Sequence, residues 1–346
     1  MPNYAQTINI EGHSGIHSEE YERIVFTRGN YSAVTIAGDY NVIIINAGCR
    51  FDGKFVVSGD YNKITIHNDV NFNNGILIGS DTDASVGVGN HIKCLGKTYI
   101  TRDTAQLNDT VNYALQINGD YTHWEGSGMN TKVVAITASG KKTHAGTIGR
   151  NVAGNGLSTA TKWCIVEKTN FMVLYDGSSH GSQKYALRIN GGATDVACGH
   201  LITNNWFGTL GEYDTSINAG QDTTGSGGQV TIEGGATRFV ENHIQPAYGT
   251  TSGGVNLNLA GRRSIVLFNH IAHGGDYGID MSPADNCVVS GNMVYWNYAK
   301  STSIHPIRVD SGVDRTVIAG NRIGNTSSIT GSGTNNSISN NEGGTL

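Results

Sequence analysis

Apolar and polar residues alternate with a period of two along nearly the whole chain. "AVTIAG" (33–38), "NVIIINA" (41–47), "NKITIHN" (62–68), "KVVAITA" (132–138), "QVTIEGG" (229–235) and "VNLNLAG" (255–261) are short, rich in β-branched residues and bounded by Gly, Asn or Asp. Such segments predict strands with one buried face. The helical period of 3.6 is nearly absent. One stretch, "SEEYERIVF" (18–26), fits a helix N-capped by Ser18 and fits an edge strand equally well; it is placed as a cap over the first coil.

The strands recur in similar company. "GDYNVIIINAG" (38–48) returns 21 residues later as "GDYNKITIHND" (59–69), with looser echoes from Gly29, Gly119 and Gly275. In the second half "RFVENHI", "IVLFNHI", "VVSGNMV" and "TVIAGNRI" share an Asn followed by one variable and one apolar residue. This aligns Asn242, Asn269, Asn292, Asn321 and then Asn340, at intervals of 27, 23, 29 and 19 residues. Units this short with no amphipathic helix exclude helical arrays, and they are too short for propeller blades. They fit a parallel β-helix of about fourteen coils, stacked roughly 4.8 Å apart into a rod on the order of 70 Å long. The repeated Asn then reads as scaffold. It tolerates a left-handed turn, and its amide can bond its copies in the coils above and below.

Composition agrees with many tight turns: Gly is 48 of 346 residues and Pro only 4. Net charge is −5 with no basic stripe, so nucleic acid is not expected as a partner. No run approaches 18 apolar residues, which excludes a spanning helix. The five cysteines are widely spaced and odd in number, and read as small buried hydrophobes rather than disulfides or a zinc knuckle. His91, His243 and His270 each follow a turn Asn; an imidazole stack is expected there, with no metal site and no cofactor. The first fifteen residues lack a basic and an apolar region, so no secretory signal is read.

The Asn-x-Ile/Val repeats, over about residues 190–340 and more loosely 30–130, resemble the right-handed parallel β-helix of the pectin-lyase-like superfamily. That group includes pectate and alginate lyases, glycoside hydrolases and bacteriophage tailspike depolymerases. The resemblance implies a right-handed coil and polysaccharide as the partner. With no export signal read, it points towards the tailspikes, which implies a homotrimer at a virion or extracellular surface; a cytoplasmic location is the alternative. Alginate and chondroitin lyases of the group carry Lys and Arg on successive coils, where this chain has Asn218 and Asn258. The polygalacturonase-like members carry a Gly-His-Gly that does not occur here.

In such a coil alternate residues face the interior and the outside. Around inward Tyr185, Leu187 and Ile189, the outward residues are Lys184 and Arg188. Asp214, Ser216 and Asn218 alternate with Ile217, and Asn256 and Asn258 with Val255, Leu257 and Leu259. Asp276 and Asp280 alternate with Tyr277, Ile279 and Met281, and Arg308 and Asp310 with Ile307 and Val309. Stacked, they form a polar ribbon over residues 180–312, flanked by Trp206, Tyr213, Tyr248, Trp296 and Tyr298.

Glycoside hydrolysis needs two carboxylates roughly 5–5.5 Å or 6.5–9.5 Å apart. Asp276 and Asp280 share a strand and lie about 13 Å apart, whereas Asp280 and Asp310 meet at about 4.8 Å if adjacent coils are in register. Asp214, Glu212 and Glu233 are further carboxylates. β-Elimination needs a neutraliser for the sugar carboxylate and a base. Lys184 and Arg188, assisted by His200 or Tyr213, supply those groups. The expected catalytic residues are therefore Asp280, Asp310, Lys184, Arg188 and Asp214. The expected substrate-binding residues are Asn218, Asn256, Asn258, Asp276, Arg308, His200 and Tyr213.

The resulting expectation is an all-β, single-stranded right-handed parallel β-helix at 29–346, with an N-terminal cap at 1–28. Loops at 141–162, 176–184 and 219–229 would wall a groove. The chain would bind and cleave an extended acidic polysaccharide there, as a lyase or a glycosidase. The alternative is a non-catalytic glycan-binding or receptor-binding virion fibre.

Overall fold

A computed structural model of the chain describes residues 6–12, 15–80, 85–102, 111–136, 142–149, 161–174, 185–191, 198–210, 228–245, 255–273, 277–282, 284–296, 305–324, 329–331 and 333–344. No helix occurs among them. One coil shows the plan. Val42–Ile45 lies on a first wall, Cys49–Phe51 on a second and Phe55–Val57 on a third; the chain then turns and Lys63–Ile66 lies parallel beside Val42–Ile45. Among the described residues the third wall is a 12-stranded sheet. Among the same residues the first two walls form one 23-stranded sheet, because His123–Ile136 and Ile165–Leu174 run on through the corner between them.

Alternation decides which side chains enter the core. Ile43, Ile45, Cys49, Phe51, Phe55 and Val57 are buried, while Arg50 between them faces water. Phe51 stacks on Phe72 at 4.8 Å, and Phe26 and Phe55 meet Phe51 edge-on. Each fully buried Phe or Ile contributes about 1.5–3 kcal/mol.

The "GDYN" turn joins the third wall to the next first wall. A Cβ on Gly38 or Gly59 would lie 1.7 or 2.0 Å from a carbonyl oxygen of the coil before, so only glycine fits. The Asp39 carboxylate accepts the Asp60 N–H at 2.7 Å. Tyr40 and Tyr61 take the left-handed conformation, and their rings stack 5.2 Å apart across coils. Asn62 is buried; its Oδ1 accepts the Asn41 N–H and its Nδ2 donates to the Gly38 carbonyl. The left-handed residue is thus the one before the Asn, and the Asn supplies the inter-coil bonds. Thr122, Cys164, His200, Thr237, Ser264, Cys287 and Thr316 continue this buried position in later coils.

A second ladder fills the corner between the first and second walls. Asn205, Asn242, Asn269, Asn292, Asn321 and Asn341 stack there. Each of the first five gives its N–H and its amide hydrogen to the Oδ1 of the next, and its second amide hydrogen to a carbonyl of the preceding coil. The last member is Asn341, not Asn340, which holds the left-handed position before it.

Other expectations need correction. Residues 18–26 hold no helix. Arg23–Phe26 is a first-wall strand that buries Ile24 and Phe26, and Thr7–Ile10 already pairs with it in parallel. The loops expected at 141–162 and 219–229 overlap third-wall strands Lys142–Ile148 and Gly228–Ile232, while 176–184 lies outside the described residues. The five cysteines are free and buried, as expected, and burial raises their thiol pKa values.

Asn269→Ala leaves the buried Asn242 N–H without its acceptor and breaks the ladder at its middle. The change should lower stability by about 2–4 kcal/mol, against about 0.5 kcal/mol or less for the exposed Ser337→Ala, compared by chemical denaturation.

Candidate functional site

Strict pairing on the third wall turns distant positions into one outward column. Gln116, Thr147, Arg188, Thr231, Asn258, Asp280, Arg308 and Thr330 face one another, rung by rung. Their neighbours Leu187, Val230, Leu257, Ile279 and Ile307 fill the core. Of the expected residues, the fold therefore brings Arg188, Asn258, Asp280 and Arg308 into one line.

Asp280 lies opposite Arg308, not Asp310. Arg308 holds it with a two-pronged bond, Nε to Oδ1 and Nη2 to Oδ2, each 2.6 Å. The guanidinium also sits 4.4 Å above the Tyr277 ring, which stacks on His305. Tyr277 is therefore half-exposed beside the ion pair rather than inside the core. Asp280 itself is only 3% exposed. Burial pushes its pKa up against the pull of Arg308. The fork geometry requires the carboxylate, so at neutral pH Asp280 is ionised despite that rise. Asp310 falls two residues further along its strand direction. There it accepts the Ser282 hydroxyl at 2.8 Å, and that bond, with the Ser311 N–H, holds it below the usual carboxylate range.

Four rungs earlier, Arg188 donates from Nη2 to both Glu233 oxygens, at 3.0 and 3.2 Å. The guanidinium lies 5.7 Å from the centre of the Tyr185 ring. Tyr113 is buried in the same cluster, and burial pushes its hydroxyl up to about 12. Tyr113 and Thr147 escape a reading of the sequence because their strands sit in stretches with weak repeats. Their rung-by-rung pairing with the Arg188 strand is what reveals them.

Two expected binding residues are structural instead. Asn256 is buried and its amide donates to the Ala272 carbonyl, tying the third wall to the second. His200 sits in the buried corner column, where its Nδ1 accepts the Cys164 N–H at 3.2 Å. Lys184, Tyr213, Asp214, Asn218 and Asp276 lie outside the described residues. No cluster of three or more His, Cys, Asp or Glu suited to a metal occurs among the described residues. His91 stacks on His123, and His243 meets His270, on two different walls.

No protein-family model matches the chain, and no curated protein matches it in sequence. Solved structures do. A PL6 family polysaccharide lyase from Pseudopedobacter saltans aligns with TM-score 0.50 and 9% identity over 97% of this chain and 92% of its own. A mannuronic acid specific polysaccharide family 6 lyase from human gut microbiota aligns with TM-score 0.50 and 12% identity, over 96% of this chain and 82% of its own. The Dettilon tailspike protein aligns at TM-score 0.46 and 12% identity, over 92% and 62%. The chain is a right-handed parallel β-helix. At these identities the likeness fixes the β-helix itself and leaves the chemistry to the residues on its walls.

His200 gives the fold a measurable acid sensitivity. Burial lowers its pKa from 6.5 to about 4. The unfolded chain takes up that proton first, so this contribution is intact above pH 6.5 and is lost as pH falls towards 4. It amounts to about 3 kcal/mol. Asn serves the same corner position at Asn41, Asn62 and Asn90. His200→Asn should therefore fold and lose less stability between pH 7 and pH 4 than the parent, followed by denaturation at each pH.

Proposed function

We propose that the third wall binds an extended acidic polysaccharide along the rod and cleaves it by hydrolysis, as a tailspike-like depolymerase. The observation that carries this is the outward column. It sets two guanidinium groups, Arg188 and Arg308, four rungs apart, or about 19 Å, with Thr231, Asn258 and Asp280 between them. Two solved structures sharing the coil are those of polysaccharide lyases, which supports the ligand class.

Asp280 and Asp310 are diagonal neighbours on adjacent rungs, a Cα separation of about 8 Å. An inverting pair needs its two carboxyl groups, not its Cα atoms, roughly 6.5–9.5 Å apart, a span that outward side chains on neighbouring rungs can bridge. Their surroundings drive the two pKa values apart, the signature of an acid and a base. Asp310 takes a proton from water as its oxygen bonds to the anomeric carbon. Asp280 gives its proton to the leaving glycosidic oxygen as that carbon–oxygen bond breaks. A sugar carboxylate that draws Arg308 away leaves Asp280 buried without its cation, so Asp280 binds the proton it must donate. Acidic substrates thus arm the acid, and neutral ones do not.

The same ion pairs favour a second reading, non-catalytic recognition of the glycan. Asp280 and Glu233 are both held by arginines, which leaves neither carboxylate free to act. In either reading the molecule acts at a virion or cell surface as a homotrimer. The outward side of the first wall supports assembly. Its later coils carry Ile165, Leu201, Val240, Ile265, Val288 and Val317 beside the exposed Arg238, with Phe268 63% exposed next to them.

Incubation with a panel of acidic and neutral polysaccharides separates the readings. Hydrolysis releases reducing ends without unsaturated products, from acidic chains only. Asp280→Asn and Asp310→Asn should each slow it by about a hundredfold or more with binding retained, and Arg188→Ala should weaken binding. Ultraviolet-absorbing unsaturated ends contradict hydrolysis, and binding without any new ends establishes the second reading.

A further inference from the structure

The described residues line an open pocket of about 230 Å³ that is not on the third wall. It lies at the corner of the first and second walls, lined by Gly128, Met129, Thr169, Asn204, Asn205, Trp206, Glu241 and His243. Its lip is a bulge. Strand His123–Ile136 slips against Ile165–Leu174 on both sides of Gly128, so that Glu125 faces Glu167, Gly128 faces Thr169 and Lys132 faces Asn170. Gly128 takes a left-handed conformation, and the Thr131 hydroxyl closes the loop by accepting the Ser127 N–H at 2.8 Å. The bulge carries Met129 clear of the sheet, 53% exposed.

The back of the pocket is aromatic. Trp206 stacks on His243 at 3.7 Å, and His243 Nδ1 meets His270 Nδ1 at 2.7 Å. Asn170 precedes Trp206 in the same outward column. It is fully buried, and neither end of its amide is hydrogen-bonded. On the opposite side, Glu241 and Asn204 are exposed on left-handed backbone.

We propose that this corner is a second glycan site, which takes one uncharged sugar residue. The volume is below the roughly 300–1,000 Å³ of drug-sized sites and suits a single ring. Met129 and Trp206 offer the apolar surface that the C–H face of a sugar needs, and the exposed Glu241 and Asn204 offer partners for its hydroxyls. The Glu241 carboxylate opposes a uronate, so this corner and the arginine-bearing third wall select different sugars. A chain with both kinds of unit can be held on one wall while it is worked on at another.

The test is saturation-transfer NMR and calorimetry on the full chain. The probes are the methyl glycosides of a neutral hexose, an N-acetylhexosamine and a uronic acid. A neutral glycoside should bind, and the uronic acid should bind about fivefold more weakly, a gap that Glu241→Gln narrows. Trp206→Ala should weaken binding about tenfold or more. Met129→Ala, at an exposed position that the fold does not need, should weaken it too. Arg188→Ala and Asp280→Asn should leave it unchanged, which separates failure here from failure of the third-wall reading. No transfer to either neutral glycoside overturns the proposal, as does preference for the uronic acid or indifference to both Trp206→Ala and Met129→Ala.

Discussion

Register between successive coils is the constraint on which everything else depends. Each rung lies one strand spacing above the last, about 4.8 Å, and at every corner buried polar groups must bond to the coil before or after. The two asparagine ladders meet that demand. An Asn side chain carries both an acceptor and donors, so it can take the N–H of one coil and bond a carbonyl of the same coil at once. A slip of one residue would strand these amides and turn every core side chain outward.

That rigidity is what makes the third wall chemically informative. Arg188, Asn258, Asp280 and Arg308 are separated by up to 120 residues, yet they form a straight line because each rung is locked to its neighbour. Register also fixes the ion pairs. Asp280 meets Arg308 across the ladder, and Arg188 reaches Glu233 diagonally. A buried carboxylate held by a single cation is sensitive to anything that competes for that cation, which couples the charge of the ligand to the protonation of the site.

The coil itself is legible in the sequence because its signals are local: period-two alternation, glycine at the close approaches, and Asn followed by one variable and one apolar residue. The site is legible only in part. In-and-out assignment succeeds within strands such as Leu187–Ile189 and His305–Val309. It fails at Tyr277 and Asn256, where the chain leaves the corner before the third wall and alternation is not yet established. The expected partner of Asp280 is wrong by two residues. The Asn ladders that set the count stand at another corner, and the loops between vary in length. His200 reads as a surface group because a buried corner column can hold Asn, Thr, Cys, Ser or His, and nothing local distinguishes it from an exposed turn. The aromatic corner at Trp206 depends on a bulge at Gly128, about eighty residues earlier in the chain, which no periodicity reveals.

The central claim is that the third-wall column is where an acidic glycan lies. A crystal structure with the best-bound acidic oligosaccharide, taken with the Asp310→Asn variant to prevent turnover, tests it most directly. The account predicts a chain running along the rod, with sugar carboxylates at Arg188 and Arg308 and the Asp280–Arg308 fork opened. An oligosaccharide seated on the first or second wall alone, or on the third wall with that fork intact and both arginines untouched, would contradict it.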